Sequence, residues 1–421
     1  MVPQPSLVLK NASLPDGRVA DIAVARGRVL HTGAGGNAGR VIDCTGLFVL
    51  PGAVDMHVHL RGGPQSAKED WESGTKSALA GGVTVVVDQP NTIPPLTTPD
   101  TLRARVLDAK EHAFCHFAIN SGVTPGTPLS AMWSAGAMAF GETFFAPSSY
   151  GEAVTVPELS AALDRIHAFG GLATIHAEEV RPGPDPSLES HAGSRSPAGE
   201  LRAVRAVLKA NTAGCRLHFC HMSTGASAGE ASAGASVEAT PHHLFLSHEA
   251  FEKTSAFAKV NPPLRSERER KELLGQWKRI DVIASDHAPH TRAEKQQPFP
   301  EAPSGVPGVE TMLPLLLAAV LEKRISRIEV MAKTSSNPAR ILGIPPAGFA
   351  PGSRADFALF PKKAVRIDAG TLHSRCGWTP FEGMKGVFPS RVIMDGTVVY
   401  EDGDFFRGNP AWMPGNGYNP R

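Results

Sequence analysis

The chain has 421 residues, with 42 Lys plus Arg against 41 Asp plus Glu and a formal charge of +1. It is long enough to bury a large core and too evenly charged to offer a nucleic-acid groove or an anionic-membrane patch. Five scattered cysteines (Cys44, Cys115, Cys215, Cys220, Cys376), with no Cys-x-x-Cys pair, argue against a disulfide framework or a zinc finger and point to a reducing compartment.

Met1 to Pro5 lacks the basic and apolar parts of a secretory signal, and no apolar run is long enough to span a bilayer. The expectation is a cytoplasmic protein with neither nucleic-acid nor membrane partners. The first elements are short and β-prone (6–10, 19–24, 27–31 and 40–44), separated by turn formers such as Pro15-Asp16-Gly17 and Gly33-Ala-Gly-Gly36, and read as a small sheet of hairpins. Next comes Val54-Asp55-Met56-His57-Val58-His59-Leu60-Arg61. On a strand, positions i and i+2 share a face, so His57 and His59 present two imidazoles to one point, with Val54, Met56, Val58 and Leu60 facing the other way. Imidazole is the commonest protein ligand for a divalent transition metal. From here apolar strands alternate with helical stretches. Strands are expected at 83–88, 116–120, 138–145, 172–176, 216–221, 236–240 and 282–285, and helices at 99–111, 128–136, 157–170, 200–210, 265–277, 310–321 and 328–335. Residues 182–197 read as a long surface loop and 296–308 as a flexible lid.

Seven or eight strand–helix alternations argue for an α/β fold, a closed (β/α)8 TIM-like barrel over residues 51–343. After Asn337-Pro338 the β texture returns at 356–360, 391–394 and 397–400, with Asp395-Gly396 as a hairpin turn. Residues 1–50 and 344–421 are therefore expected to build one small β-sandwich domain together, the latter ending in a C-terminal tail.

At the C-terminal ends of the expected strands stand His57, His59, Asn91, Glu142, His176, His221 and Asp286. Imidazoles and carboxylates gathered at one barrel mouth suit zinc, with manganese, cobalt or iron as alternatives. His57, His59 and Asp286 can hold one ion, and His176 and His221 a second. Between two cations an anionic bridge is needed, and Glu142 is the candidate. Asp286 is also placed to accept the proton of an attacking water and return it to a departing nitrogen.

Longer segments around these residues resemble dihydroorotases, in the cyclic-amidohydrolase branch of the amidohydrolase superfamily. They are Asp55 to Arg61, Pro90-Asn-Thr92, His176-Ala-Glu-Glu179, His218 to Thr224, Glu238 to Leu244, Val260 to Arg265, Ser285-Asp-His-Ala-Pro-His-Thr291 and Gly305 to Met312. Asp-His-Ala-Pro-His-Thr together with Thr-Pro-His-His-Leu is the more specific part; His-x-His marks only the superfamily. The resemblance implies a zinc barrel that interconverts N-carbamoyl-L-aspartate and L-dihydroorotate in pyrimidine synthesis. It implies that Arg61 and Asn91, assisted by His290, bind the substrate carboxylate, and that Asn261 with the backbone near Ser304 and Gly305 reads the ring's amide edge. Glu238 corresponds to a position that in some relatives binds an additional metal; here it is either a weak extra ligand or a carboxylate that steadies one.

Two departures stand out. Many relatives bridge their metals with a CO2-carboxylated lysine, but residues 137–145 contain no lysine, leaving Glu142, already anionic but shorter, as its substitute in a binuclear site. The Ala/Gly/Ser-rich stretch between His221 and Glu238 leaves little room for a full barrel helix; an exposed barrel side there would suit a homo-oligomer or another pyrimidine-pathway enzyme. The competing readings are a dihydropyrimidinase, hydantoinase or allantoinase type of cyclic amide hydrolase, and a non-catalytic relative.

Overall fold

The computed structural model describes residues 4–33, 39–144 and 153–419. Positions 34–36 of the glycine-rich turn and Phe145 at the end of one expected strand lie outside them. Eight parallel strands follow one another: β1 (Ala53–Val58), β2 (Val83–Asp88), β3 (His116–Ile119), β4 (Phe140–Phe144), β5 (Leu172–His176), β6 (Arg216–Phe219), β7 (Ser236–Ala239) and β8 (Val282–Ile283). β1 to β3 pair in one run and β4 to β8 in another. Single bridges close both gaps: Ser121 with Phe140, and Val58 with His287, where the His59 N–H also donates to the His287 carbonyl at 2.8 Å. The ring is a closed barrel. β2 reads Val-Thr-Val-Val-Val-Asp and is buried throughout, as a strand covered on both faces must be.

The helices start where cap chemistry dictates. Thr98, Thr155 and Ser266 each accept a first-turn N–H, opening Pro99–His112, Val156–Ala168 and Glu267–Gly275. Between β6 and β7 stands a short helix, Gly225–Ala231, and a methyl group on Gly225 would lie 2.7 Å from the Glu272 carbonyl. Small residues there let this short helix approach its neighbour closely, so the barrel wall is not left open on that side. The β texture returns at 357–361, and Asn337-Pro338 opens a helix, Asn337–Leu342, since proline suits a first helical turn. Its Ile341 and Leu342 pack with Val54, Met56, Val85, Val87 and Val282.

The flanking segments share one nine-stranded sheet in which 357–361 lies between 47–51 and 391–394. Strand 7–13 pairs with 40–43 at one end and touches 47–51 at the other, wrapping the sheet over Leu9, Ile22, Val24, Val49, Phe357 and Ile393.

Strict alternation fails along β1. Val54 and Met56 pack with Val85, Val87 and Val282, whereas Val58 and Leu60 belong to the large cluster that includes Trp71, Leu102 and Phe117. The pairing of β1 with β2 shifts register between Asp55 and Val58, and such an irregularity re-aims the side chains beyond it.

Candidate active site

The six expected ligands meet at the C-terminal mouth of the barrel, all buried. Glu142 stands between two histidine pairs. Its Oε1 lies 2.9 Å from His176 Nδ1 and 2.7 Å from His221 Nε2, while its Oε2 lies 3.5 Å from His57 Nε2 and 4.0 Å from His59 Nε2. Asp286 Oδ1 completes the second group, 3.2 Å from His59 Nε2 and 3.5 Å from His57 Nε2. The donor atoms of His57, His59 and Asp286 all lie within 4.8 Å of one another, as do those of His57, Glu142 and His221. Arg61, His221 and Asp286 adopt positive φ (47°, 33° and 46°), a region that costs a non-glycine residue energy and that the surrounding packing must enforce.

Behind the histidines stand further carboxylates. Glu238 Oε1 is 3.0 Å from His57 Nδ1 and accepts the His221 N–H at 2.9 Å, and its Oε2 is 3.1 Å from His218 Nε2. Glu178 Oε2 lies 3.2 Å from His176 Nε2. A carboxylate on the remaining ring nitrogen fixes the tautomer and direction of a metal-binding imidazole. Burial would raise the carboxyl pKa of Glu142, Asp286, Glu238 and Glu178, but the adjoining histidines outweigh it and hold all of them below the ordinary range. Those same carboxylates outweigh burial and raise His57 and His176, the latter to about 9, so protons on these rings, or a cation in their place, balance the buried acids. His57 Nε2 faces two carboxylate oxygens at 3.5 Å, beyond good hydrogen-bond range. The donor set fits a divalent cation of the kind that takes imidazole and carboxylate.

A cleft of about 370 Å³ opens over this cluster. Arg61, Asn91 and His290 line it, as do Asn261, Ser304 and Gly305. Burial pushes Arg61 down to about 10, which leaves it a cation at neutral pH, and its Nε donates to the Pro289 carbonyl at 3.3 Å. His290 Nε2 donates to the Ser304 carbonyl at 3.0 Å. Burial, with the charges of Arg61, Lys68 and Lys295, drives His290 far below the usual imidazole range, so it presents a neutral ring.

The amidohydrolase family model matches residues 48–399. The chain belongs to this family. A dihydroorotase of Halobacterium salinarum is 41% identical over 94% of this chain and 97% of its own, and one of Methanosarcina acetivorans is 38% identical over 91% and 89%. These matches put the chain among the dihydroorotases of the family. Among solved structures, the L-hydantoinase (dihydropyrimidinase) of Arthrobacter aurescens superposes with a TM-score of 0.90 at 28% identity, covering 96% of this chain and 98% of that one. A Brevibacillus agri dihydropyrimidinase reaches 0.86 at 23% identity over 98% and 99%, which bears on the fold alone. The barrel with its β domain is thus the architecture of the family. No helix among the described residues is long and apolar enough to cross a membrane.

Two segments of this amidohydrolase depart from the expectations drawn from its sequence. Residues 182–197 are not simply a surface loop: they contain the helix Leu188–Ser194, capped by Ser187, and the Leu188 N–H donates to the Lys253 carbonyl at 2.8 Å. Residues 296–308 do not form a free flap. The Lys295 ammonium donates to the carbonyls of Lys259 (3.1 Å), Pro303 (2.9 Å) and Gly305 (2.9 Å), and Lys259 donates to those of Phe299 (2.7 Å) and Ala302 (2.9 Å). Phe299, Ala302 and Val306 are buried beneath. Glycine- and proline-rich composition signals irregular backbone, and here that backbone spends its carbonyls on two buried cations. Arg195, Lys68, Phe144 and Glu178 also line the cleft. Glu178 was legible as the residue two beyond His176; Arg195 was hidden in the supposed loop.

Proposed function

We propose that this protein is a zinc-dependent dihydroorotase that interconverts N-carbamoyl-L-aspartate and L-dihydroorotate, with two ions sharing Glu142. The observation that carries this reading is the placement of the buried Arg61 cation, Asn91 and the neutral His290 on the wall of the same cleft whose floor is the histidine–carboxylate cluster. His57, His59 and Asp286 would hold one ion and His176 and His221 the other, with one Glu142 oxygen turned toward each group. Bound there, zinc supplies Lewis acidity, polarising the amide carbonyl and making water a nucleophile near neutral pH. Glu238 and Glu178 steady His57 and His176 from behind.

In the ring-opening direction Arg61 and Asn91 anchor the ring carboxylate, and the cleft wall turns the amide bond toward the floor. Asp286 takes the proton of the attacking water and returns it to the departing ring nitrogen; cyclisation runs the same transfers in reverse. Arg offers a planar fork matched to a carboxylate. The hydantoinase-like reading draws support from the Arthrobacter aurescens neighbour, but hydantoin rings carry no carboxylate to justify burying a guanidinium. Arg61→Met is expected to raise KM for L-dihydroorotate by about a hundredfold, the loss of a charge-assisted pair, while kcat changes much less. An unchanged KM would remove the carboxylate role.

A further inference from the structure

We propose that His191, backed by Asp185, is a positioning residue that fixes the side-chain amide of Asn261 with its NH2 group turned into the cleft. Asn261 would then act as a hydrogen-bond donor to a carbonyl of the substrate's ureido or imide edge. The inference rests on the dihydroorotase reading and deepens it.

His191 lies on the helix Leu188–Ser194 and is 1% exposed. Its Nε2 is 3.1 Å from the Val260 carbonyl oxygen and 2.8 Å from Asn261 Oδ1. A backbone carbonyl only accepts, so Nε2 carries a hydrogen. The Asn261 atom beside that N–H must then be the amide oxygen, which leaves Nδ2 pointing away from the imidazole. Nδ2 has no hydrogen-bond partner among the described residues, and Asn261 lines the cleft. The identity of the amide's two ends, ordinarily ambiguous, is settled by the Val260 carbonyl.

Asp185 holds the other end of the ring. Its Oδ2 is 2.7 Å from His191 Nδ1, so the ring is held between this carboxylate and the Val260 carbonyl. Partial burial would raise the Asp185 carboxyl, but the hydrogen bond and charge of His191 outweigh it and keep it anionic. Arg195 lies alongside, its NH1 3.3 Å from His191 Nδ1 and 3.8 Å from Asp185 Oδ2. The line Asp185–His191–Asn261 thus runs from a partly exposed carboxylate to the cleft wall. Without it the amide is free to rotate and present its oxygen to the substrate's oxygen, a mismatch of acceptor against acceptor.

The test measures steady-state kinetics with L-dihydroorotate on the zinc-loaded enzyme for His191→Ala, Asn261→Ala and the double variant. Each single change is expected to raise KM about tenfold or more, as the loss of one buried substrate hydrogen bond, with kcat within about threefold. The double variant should be no worse than the single ones, because both remove the same contact. His191→Gln, which keeps an N–H at similar reach, should recover most of the loss. An unchanged KM in His191→Ala, or losses that multiply in the double variant as for a merely structural support, would overturn the proposal. Should the alanine variant not fold, Asp185→Asn decides: a raised KM at native kcat supports the line of contacts, and a native KM overturns it. Failure of the unaltered enzyme to turn over L-dihydroorotate would sink the functional reading instead, so the two failures are distinct.

Discussion

Asp286→Ala is expected to lower turnover by about a thousandfold or more while the protein stays folded, because a positioned proton-transfer group contributes about a hundred- to ten-thousandfold. Asp286 holds two positions at once. It follows β8 at positive φ, so its carboxylate is aimed by backbone conformation rather than by side-chain freedom. Its Oδ1 lies 3.2 Å from His59 Nε2 and 3.5 Å from His57 Nε2, which places it among the candidate metal donors as well. Metal analysis of the variant separates the two roles: turnover lost with the metal retained marks the proton shuttle, and turnover lost together with the metal marks the ligand. Native turnover in the variant would refute both.

Glu142→Gln is expected to cost at least half of the bound metal and to reduce turnover by about a hundredfold or more, since it would remove the anion proposed to lie between two cations in a poorly solvated site. The substitution keeps the shape of the side chain and removes only its charge, so packing is preserved. A binuclear site in which Glu142 bridges should lose the occupancy of one ion first. A variant that retained full metal content and full turnover would show that the bridging role belongs elsewhere.

The residues that make the candidate site were legible because barrel topology puts strand ends together. His57, His59, His176 and His221 each follow an apolar run, Asp286 comes just after β8, and Glu142 lies within β4. Local composition hid the rest. His191 and Asp185 lie in a Gly/Pro/Ser-rich stretch that reads as solvent-exposed, and only the fold brings His191 against Val260 and Asn261. Lys259 and Lys295 were invisible for a related reason: lysine is rarely buried, and nothing in the sequence marks the carbonyls that satisfy each ammonium here. The register shift in β1 shows the limit of two-residue alternation, which holds on an unbroken ladder and fails at a bulge. For Glu238 the type of residue was readable but its direction was not. Its Oε1 meets the Nδ1 of His57, whereas Glu142 and Asp286 face the Nε2.

The most direct measurement is turnover by the purified, zinc-reconstituted protein, offered N-carbamoyl-L-aspartate at mildly acid pH and, in parallel, hydantoin and allantoin. Cyclisation to L-dihydroorotate, abolished by a chelator and restored by zinc, with little or no action on the two uncharged rings, is the expected result. Ready hydrolysis of hydantoin or allantoin with no cyclisation would contradict it.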